Sequence, residues 1–127
     1  MKKRFKVLVT RRLHRSALDE LGKKCNVFLH SGKIPIPKKT LKNKIRDMDG
    51  LICHPYDTID KEIINNAKNL KVISTFSVGF DHIDIEVAKT QGIRIGYTPE
   101  VLTNATAELT IGLILDVLRR ISEGDRI

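Results

Sequence analysis

The sequence predicts an α/β domain built on a five-stranded parallel sheet, with helices on both faces. Two observations carry this. Five short apolar runs, most of them β-branched, recur along the chain, and stretches with apolar residues at helical spacing lie between them. The connections are short, and parallel neighbours need a crossover helix, so the alternation reads as βαβαβαβαβ. Strands of near-continuous apolar character belong to sheets covered on both faces. The strand order expected is 2-1-3-4-5, the flavodoxin-like arrangement, followed by a long C-terminal crossover helix.

Lys6-Val7-Leu8-Val9-Thr10 is the first strand, and Arg11-Arg12 stands at its carboxyl end. Helix one is expected over His14–Lys23, with Leu13, Ala17, Leu18 and Leu21 on one face and Gly22 near its stop. Asn26-Val27-Phe28-Leu29-His30 is the second strand. The stretch Ser31 to Pro37 is a loop, because Pro35 and Pro37 forbid regular pairing. A basic helix is expected over Lys38–Met48, with Leu41, Ile45 and Met48 inward. Asp49-Gly50 turns the chain into strand three, Leu51-Ile52-Cys53-His54. Asp60 is placed to cap the next helix, which turns Ile63, Ile64 and Ala67 to the core. Strand four is Val72-Ile73-Ser74-Thr75-Phe76. Asp81 or Asp84 can cap the helix after it, which ends at Gln91-Gly92, and Ile93-Arg94-Ile95-Gly96 is strand five.

The longest helix is expected over Leu102–Ile121, with Thr103 or Asn104 as its cap. From Leu109 to Leu118 it is apolar nearly all round. A helix apolar on every side must be buried on every side, and one small sheet cannot cover it. It therefore calls for a second domain or a second subunit, with Gly112 permitting close backbone approach.

Composition narrows the function classes. At 127 residues, 41% hydrophobic and 5% aromatic, the chain fits one ordinary soluble α/β domain. No apolar run is long enough to span a membrane. The basic start Met1 to Lys6 leads into a five-residue strand and not a signal-peptide core, so a cytoplasmic protein without a membrane partner is expected. Cys25 and Cys53 have no paired or metal spacing and read as free thiols. His14, His30, His54 and His82 are scattered, so no metal is expected. The net charge of +8 is uneven: residues 1–50 hold 15 Lys and Arg against 4 Asp and Glu. The basic residues are spread over helix faces and loops without interleaved aromatics, so a solvated surface is expected, not a nucleic-acid partner.

The chemistry is concentrated where strand four ends. Ligands of open parallel sheets bind just beyond the carboxyl ends of the strands. Ser77-Val78-Gly79 lies there, between strand and helix. A tight turn at this place aims successive N–H groups into the crevice, and such a nest suits a carboxylate. Gly79 is expected to take a φ that other residues resist and to keep a Cβ out of the ligand's way.

The block V-I-S-T-F-S-V-G-F-D-H-I-D, followed by G-I-R-I-G-Y-T-P-E-V-L-T-N-A-T-A-E-L-T, resembles the D-isomer-specific 2-hydroxyacid dehydrogenases. Within them it is most similar to the animal-type glyoxylate reductase/hydroxypyruvate reductase subgroup, which the opening V-T-R-R and the later P-I-P also fit. The resemblance runs from Lys6 to Arg126. It implies NAD(P)-dependent reduction of small 2-oxo acids, glyoxylate or hydroxypyruvate, to D-2-hydroxy acids. It further implies a substrate (lid) domain over 1–100 and a crossover helix over 101–127, leading to a nucleotide-binding Rossmann domain. Val78 and Gly79 would bind the substrate carboxylate through their N–H groups. Val78, Thr103 and Thr106 would meet the NADPH or NADH, and Glu108 would help the helix entry. The helix at 102–121 would contribute to a homodimer.

Departures from the family pattern bear on what the chain does alone. No G-x-G-x-x-G fingerprint occurs, and the family's catalytic arginine, glutamate and histidine belong to the domain that follows. No catalytic residue is therefore assigned within this chain. Its end at Ser122 to Ile127 reads as a truncated product, gene-model fragment or isoform. His54-Pro55-Tyr56 replaces the small or aliphatic residues usual after strand three, and Tyr56 would narrow the substrate pocket or add a hydroxyl. A strand-end histidine packed in the sheet is the reading for His54. The competing reading is a non-catalytic flavodoxin-like binding or dimerisation module. A receiver would need an acidic pair after strand one, where this chain has Thr10-Arg11-Arg12. A flavin site would need a hydroxyl-rich loop there, and only Thr10 and Ser16 are near.

Overall fold

The computed structural model describes residues 4–126. Five strands, β1 (Phe5–Val9), β2 (Cys25–Leu29), β3 (Gly50–Cys53), β4 (Val72–Thr75) and β5 (Arg94–Gly96), pair in parallel in the order β2-β1-β3-β4-β5. Helices α1 (Arg15–Lys24), α2 (Lys38–Ile45), α3 (Lys61–Asn66) and α4 (Ile85–Thr90) connect them. The last 3 elements of the alternation place the strand-four turn between β4 and α4, as expected of a βαβ unit.

Strand parity sorts the sheet into two unequal faces. Leu8, Leu51, Cys53 and Ile73 point to one side, where they pack with Leu41 and Ile45 of α2, Ile63 and Ile64 of α3, and Ala88 of α4. These side chains form one contiguous core, and most are fully shielded from water. Phe5, Val7, Gly50, Ile52, Val72 and Ser74 point the other way and line an apolar groove, with Leu21 of α1 at its side. Helix α1 contributes no buried residue. The expected inner face of Leu13, Ala17, Leu18 and Leu21 is thus not buried: Leu13, Leu18 and Leu21 are half-exposed and Ala17 is exposed. An amphipathic pattern reports a face able to be buried, and among the described residues α1 meets β2 without burying that face.

Several boundaries shift. Strands β1, β2 and β3 each begin and end one residue earlier than the apolar runs suggest, and β5 begins one later. Thr10, His30, His54 and Phe76 each follow a strand's last residue, so they face the loop region at the sheet's carboxyl edge. Helix α1 continues through Gly22, and α2 stops at Ile45, with Met48 buried in the turn beyond it. Asp60 caps α3 through Ile63 N–H at 3.1 Å, and Asp84, not Asp81, caps α4 through Val87 N–H at 3.1 Å.

The C-terminal helix departs most. It forms α5 (Thr103–Arg119), then breaks at Arg120, which has φ 54°, and resumes as the single turn α6 (Ile121–Gly124). Neither Thr103 nor Asn104 caps it; Leu102 occupies that place without a side-chain bond. Its apolar residues are all exposed, Leu109 at 64% and Val117 at 76%. Nothing approaches Gly112 within the space a Cβ would take. The helix projects from the domain and does not fold back onto it.

Candidate active site

The turn after β4 is anchored on every side. Phe76 N–H continues the ladder to the Cys53 carbonyl at 3.0 Å. The Ser77 carbonyl accepts twice from Thr98, from its N–H and its hydroxyl, both at 2.9 Å. The Ser77 hydroxyl donates to the Gly79 carbonyl at 2.6 Å, closing the turn on itself. Further on, Ile59 N–H donates to the His82 carbonyl and Asp84 N–H to the Ile59 carbonyl, both at 2.9 Å. Ile59 and Ile83 are buried, so this last clamp sits in the core.

Between these anchors, no hydrogen bond within the described residues engages the N–H of Val78 or of Gly79. Two adjacent free donors on a fixed turn, at the carboxyl end of a central strand, are the elements of an anion nest. The glycine expectation is corrected in part. Gly79 does not have a positive φ; among the described glycines only Gly92 does. A Cβ at Gly79 would meet only Asp81 Oδ2, at 3.4 Å. Its contribution is the open space a Cβ would occupy, not backbone freedom.

Val78 opens onto a cleft of about 560 Å³, lined by Glu100, Leu102, Thr103, Thr106, Ala107, Thr110 and Ile111 as well. The residues singled out as cofactor-facing, Val78, Thr103 and Thr106, thus line one cleft, with Gly79 beside them. Spacing could not have found Glu100 there. It holds φ 61°, a conformation unusual for a residue with a side chain, at the entry to α5. The cleft offers apolar walls and threonine hydroxyls, which suit one face of a nicotinamide ring. It offers no glycine-rich phosphate cradle.

Tyr56 is not in that cleft. It is 70% exposed and its ring lies 5.1 Å from that of His54, beyond the end of β3. His54 in turn lies 6.3 Å from Phe76, ring to ring. The histidine is therefore in a loop cluster and not within the sheet. Its Nδ1 is buried without a partner. Burial, and secondarily the Arg11 guanidinium, hold its pKa below the ordinary histidine value. Below it, the buried Asp57 carboxylate accepts from the Thr10 hydroxyl and from His54 N–H at 2.8 Å, tying the ends of β1 and β3 together. Nothing in the spacing of Thr10 and Asp57 announces this contact between residues 47 apart.

A second polar cluster lies behind the nest. Thr75, 2% exposed, has its hydroxyl 2.7 Å from that of Ser77 and 2.8 Å from His82 Nε2. Burial holds the His82 pKa below the ordinary value, and pushes the neighbouring Cys53 thiol up to about 12. Both groups are neutral near pH 7.

Comparison with known proteins identifies the family of the chain. Residues 7–122 match the family model described as D-isomer specific 2-hydroxyacid dehydrogenase, catalytic domain. The chain is 51% identical over 125 residues to a glyoxylate reductase of Thermofilum pendens, covering 98% of this chain and 37% of that protein. It is 45% identical over 122 residues to the human glyoxylate reductase/hydroxypyruvate reductase, covering 94% of this chain and 37% of that protein. A solved structure from Thermus thermophilus superposes with a TM-score of 0.83 at 47% identity, covering 95% of this chain and 39% of that one. The chain thus spans a little over a third of the length of these relatives. With the family model matched across nearly all of its length and the same fold in its relatives, the chain belongs to the D-isomer-specific 2-hydroxyacid dehydrogenase family.

Proposed function

We propose that this chain is the substrate-binding (lid) part, residues 1–100, and the crossover helix, residues 101–127, of an NAD(P)-dependent reductase. Its substrates are small 2-oxo acids, glyoxylate and hydroxypyruvate, and its products the D-2-hydroxy acids. The observation that carries the reading is the pair of free N–H groups at Val78 and Gly79, fixed beside a cleft that Thr103 and Thr106 also line. In this reading the two donors bind the substrate carboxylate. Val78 separates that carboxylate from the cofactor side of the cleft, and Tyr56, which stands outside the cleft beside His54, would bound the substrate only from the β3 side.

A bound nicotinamide cofactor would supply the hydride. The proton donor for the developing alkoxide, a cation for the carboxylate and the dinucleotide cradle are not assigned to residues of this chain. The 127 residues are therefore expected to be inactive by themselves. They act in the cytoplasm as part of a homodimer joined through the 102–121 helix, whose apolar residues are unpartnered here.

The test is NADPH- and NADH-dependent reduction of glyoxylate and hydroxypyruvate, by the chain alone and by the chain extended with a nucleotide-binding domain. Turnover by the extended form only is the expected result. Activity of the short chain overturns the assignment of catalysis to the missing part, and inactivity of both overturns the reaction class.

A further inference from the structure

The hydroxyls and the imidazole behind the nest form a chain whose direction follows from their proton inventory, starting at the Gly79 carbonyl, which can only accept. Ser77 Oγ donates to the Gly79 carbonyl. A hydroxyl has one proton, so Ser77 Oγ must accept in its 2.7 Å contact with Thr75 Oγ1. The Thr75 proton is then committed to Ser77, and Thr75 Oγ1 must accept in its 2.8 Å contact with His82 Nε2. His82 is therefore protonated on Nε2. The order of donation is His82, Thr75, Ser77, Gly79 carbonyl. The middle of the chain is shielded from water, where aligned hydrogen bonds reinforce one another. Cys53 Sγ, 3.9 Å from the same Nε2, is a neutral thiol and does not compete as a charged acceptor.

The chain ends at the Gly79 carbonyl. The Ser77 carbonyl is held separately by the two bonds from Thr98. Only the Ser77–Val78 and Val78–Gly79 peptides lie between these fixed points, and theirs are the two free N–H groups. Loss of the Ser77 bond releases one end of that span and lets the donors diverge.

We propose that His82, Thr75 and Ser77 are positioning residues, which hold the Val78 and Gly79 N–H groups convergent for the substrate carboxylate. The inference rests on the function proposed above. It adds a buried cause for the affinity of the nest, in residues that touch neither substrate nor cofactor.

Two measurements test it together. Long-range ¹H–¹⁵N NMR of the chain reads the His82 tautomer, and steady-state kinetics of the active enzyme that carries the chain reads the nest. The neutral Nε2–H tautomer is expected. Thr75→Val and Ser77→Ala are expected to raise the KM for glyoxylate about three- to tenfold, the worth of one net hydrogen bond. They should leave kcat and the nicotinamide KM unchanged, and Thr75→Ser, which keeps the hydroxyl, should restore the wild-type KM. Ser77 is only half-buried, so Ser77→Ala remains informative where Thr75→Val does not fold. An Nδ1–H tautomer, a wild-type KM in folded Ser77→Ala, or a Thr75→Ser variant as impaired as Thr75→Val overturns the proposal. An enzyme inert towards 2-oxo acids but with the Nε2–H tautomer intact overturns the proposed function, and with it the role of the nest.

Discussion

At the scale of single residues, the site depends on what is missing as much as on what is present. Gly79 has an ordinary backbone, and a methyl group there would meet one carboxylate oxygen at 3.4 Å. Gly79→Ala should therefore fold, with unfolding free energy changed by less than about 1 kcal/mol and with a stabilising sign permitted by the stiffer unfolded chain. In the proposed site the same methyl would take up space beside the two free donors. The expected outcome is near-native urea unfolding with a raised KM for the 2-oxo acid. Equal losses of stability and affinity would return Gly79 to a purely structural role. The two neutral histidines make a second prediction. Burial lowers the folded pKa of His82, and burial together with Arg11 lowers that of His54. The unfolded chain then takes up protons first as pH falls. The stability tied to these neutral rings is complete above the unfolded value of about 6.5 and is lost below it, through the lowered folded values. The denaturation midpoint should fall between pH 7 and pH 5, and by less in His82→Asn, as chemical denaturation at several pH values would reveal. Residue spacing exposed the Val78–Gly79 turn because a strand, a glycine and an acidic cap adjoin in sequence. It could not expose the Thr10–Asp57 bond or the His82–Thr75–Ser77 chain, whose partners meet only once the loops are folded.

At the scale of elements, periodicity located the five strands and α1 to α5 to within a few residues but not the break at Arg120 or the turn α6 after it, and the boundary errors have common causes. The strands end early because their last β-branched or aromatic residue, such as Thr10 or Phe76, already turns into the loop region where the ligand crevice forms. A propensity cannot distinguish a residue in the ladder from its immediate continuation. Helix α2 was over-extended because Met48 keeps the apolar spacing, although Arg46 and Asp47 already lead the chain into the next turn. Caps were legible where an aspartate precedes a helical run, at Asp60 and Asp84, and misleading at Thr103, where α5 begins without a side-chain cap. The Asp84 cap fixes the start of the helix that follows the nest. Asp84→Ala should cost about 1 kcal/mol, since Val87 N–H at the first turn of α4 loses its acceptor. Asp84→Asn, which keeps an oxygen acceptor, should cost only a part of that. Differential scanning calorimetry separates the two, and equal losses would mean that the carboxylate charge, not the cap, is what matters.

At the scale of the whole molecule, the two unequal faces of the sheet and the projecting α5 belong to one problem. The core behind Leu8, Leu51 and Ile73 is closed by α2, α3 and α4, whereas α5 leaves the domain with its apolar side chains in water. Hydrophobic spacing could say that α5 must be covered, but not by what, because a pattern specifies a buried face and never its partner. Leu113 and Val117, one helical turn apart, are 56% and 76% exposed, and Leu109 extends the same stripe at 64%. Soluble monomers rarely keep so continuous an apolar surface. In the proposed homodimer this stripe lies against its counterpart in the second subunit, and a helix of 17 residues, about 25 Å long, provides the contact. Sedimentation velocity of the chain should then resolve a concentration-dependent dimer. Leu113→Glu with Val117→Glu would place unpaired carboxylates in the contact and weaken it by at least about 3 kcal/mol, roughly 100-fold in the dissociation constant. Both side chains lie outside the domain core, so the thermal unfolding of the sheet should be unchanged in that variant. A wild-type chain that stays monomeric at all concentrations would instead assign the stripe to a further domain of the same polypeptide, and the 2 outcomes part cleanly because the substituted variant is folded and monomeric in either case.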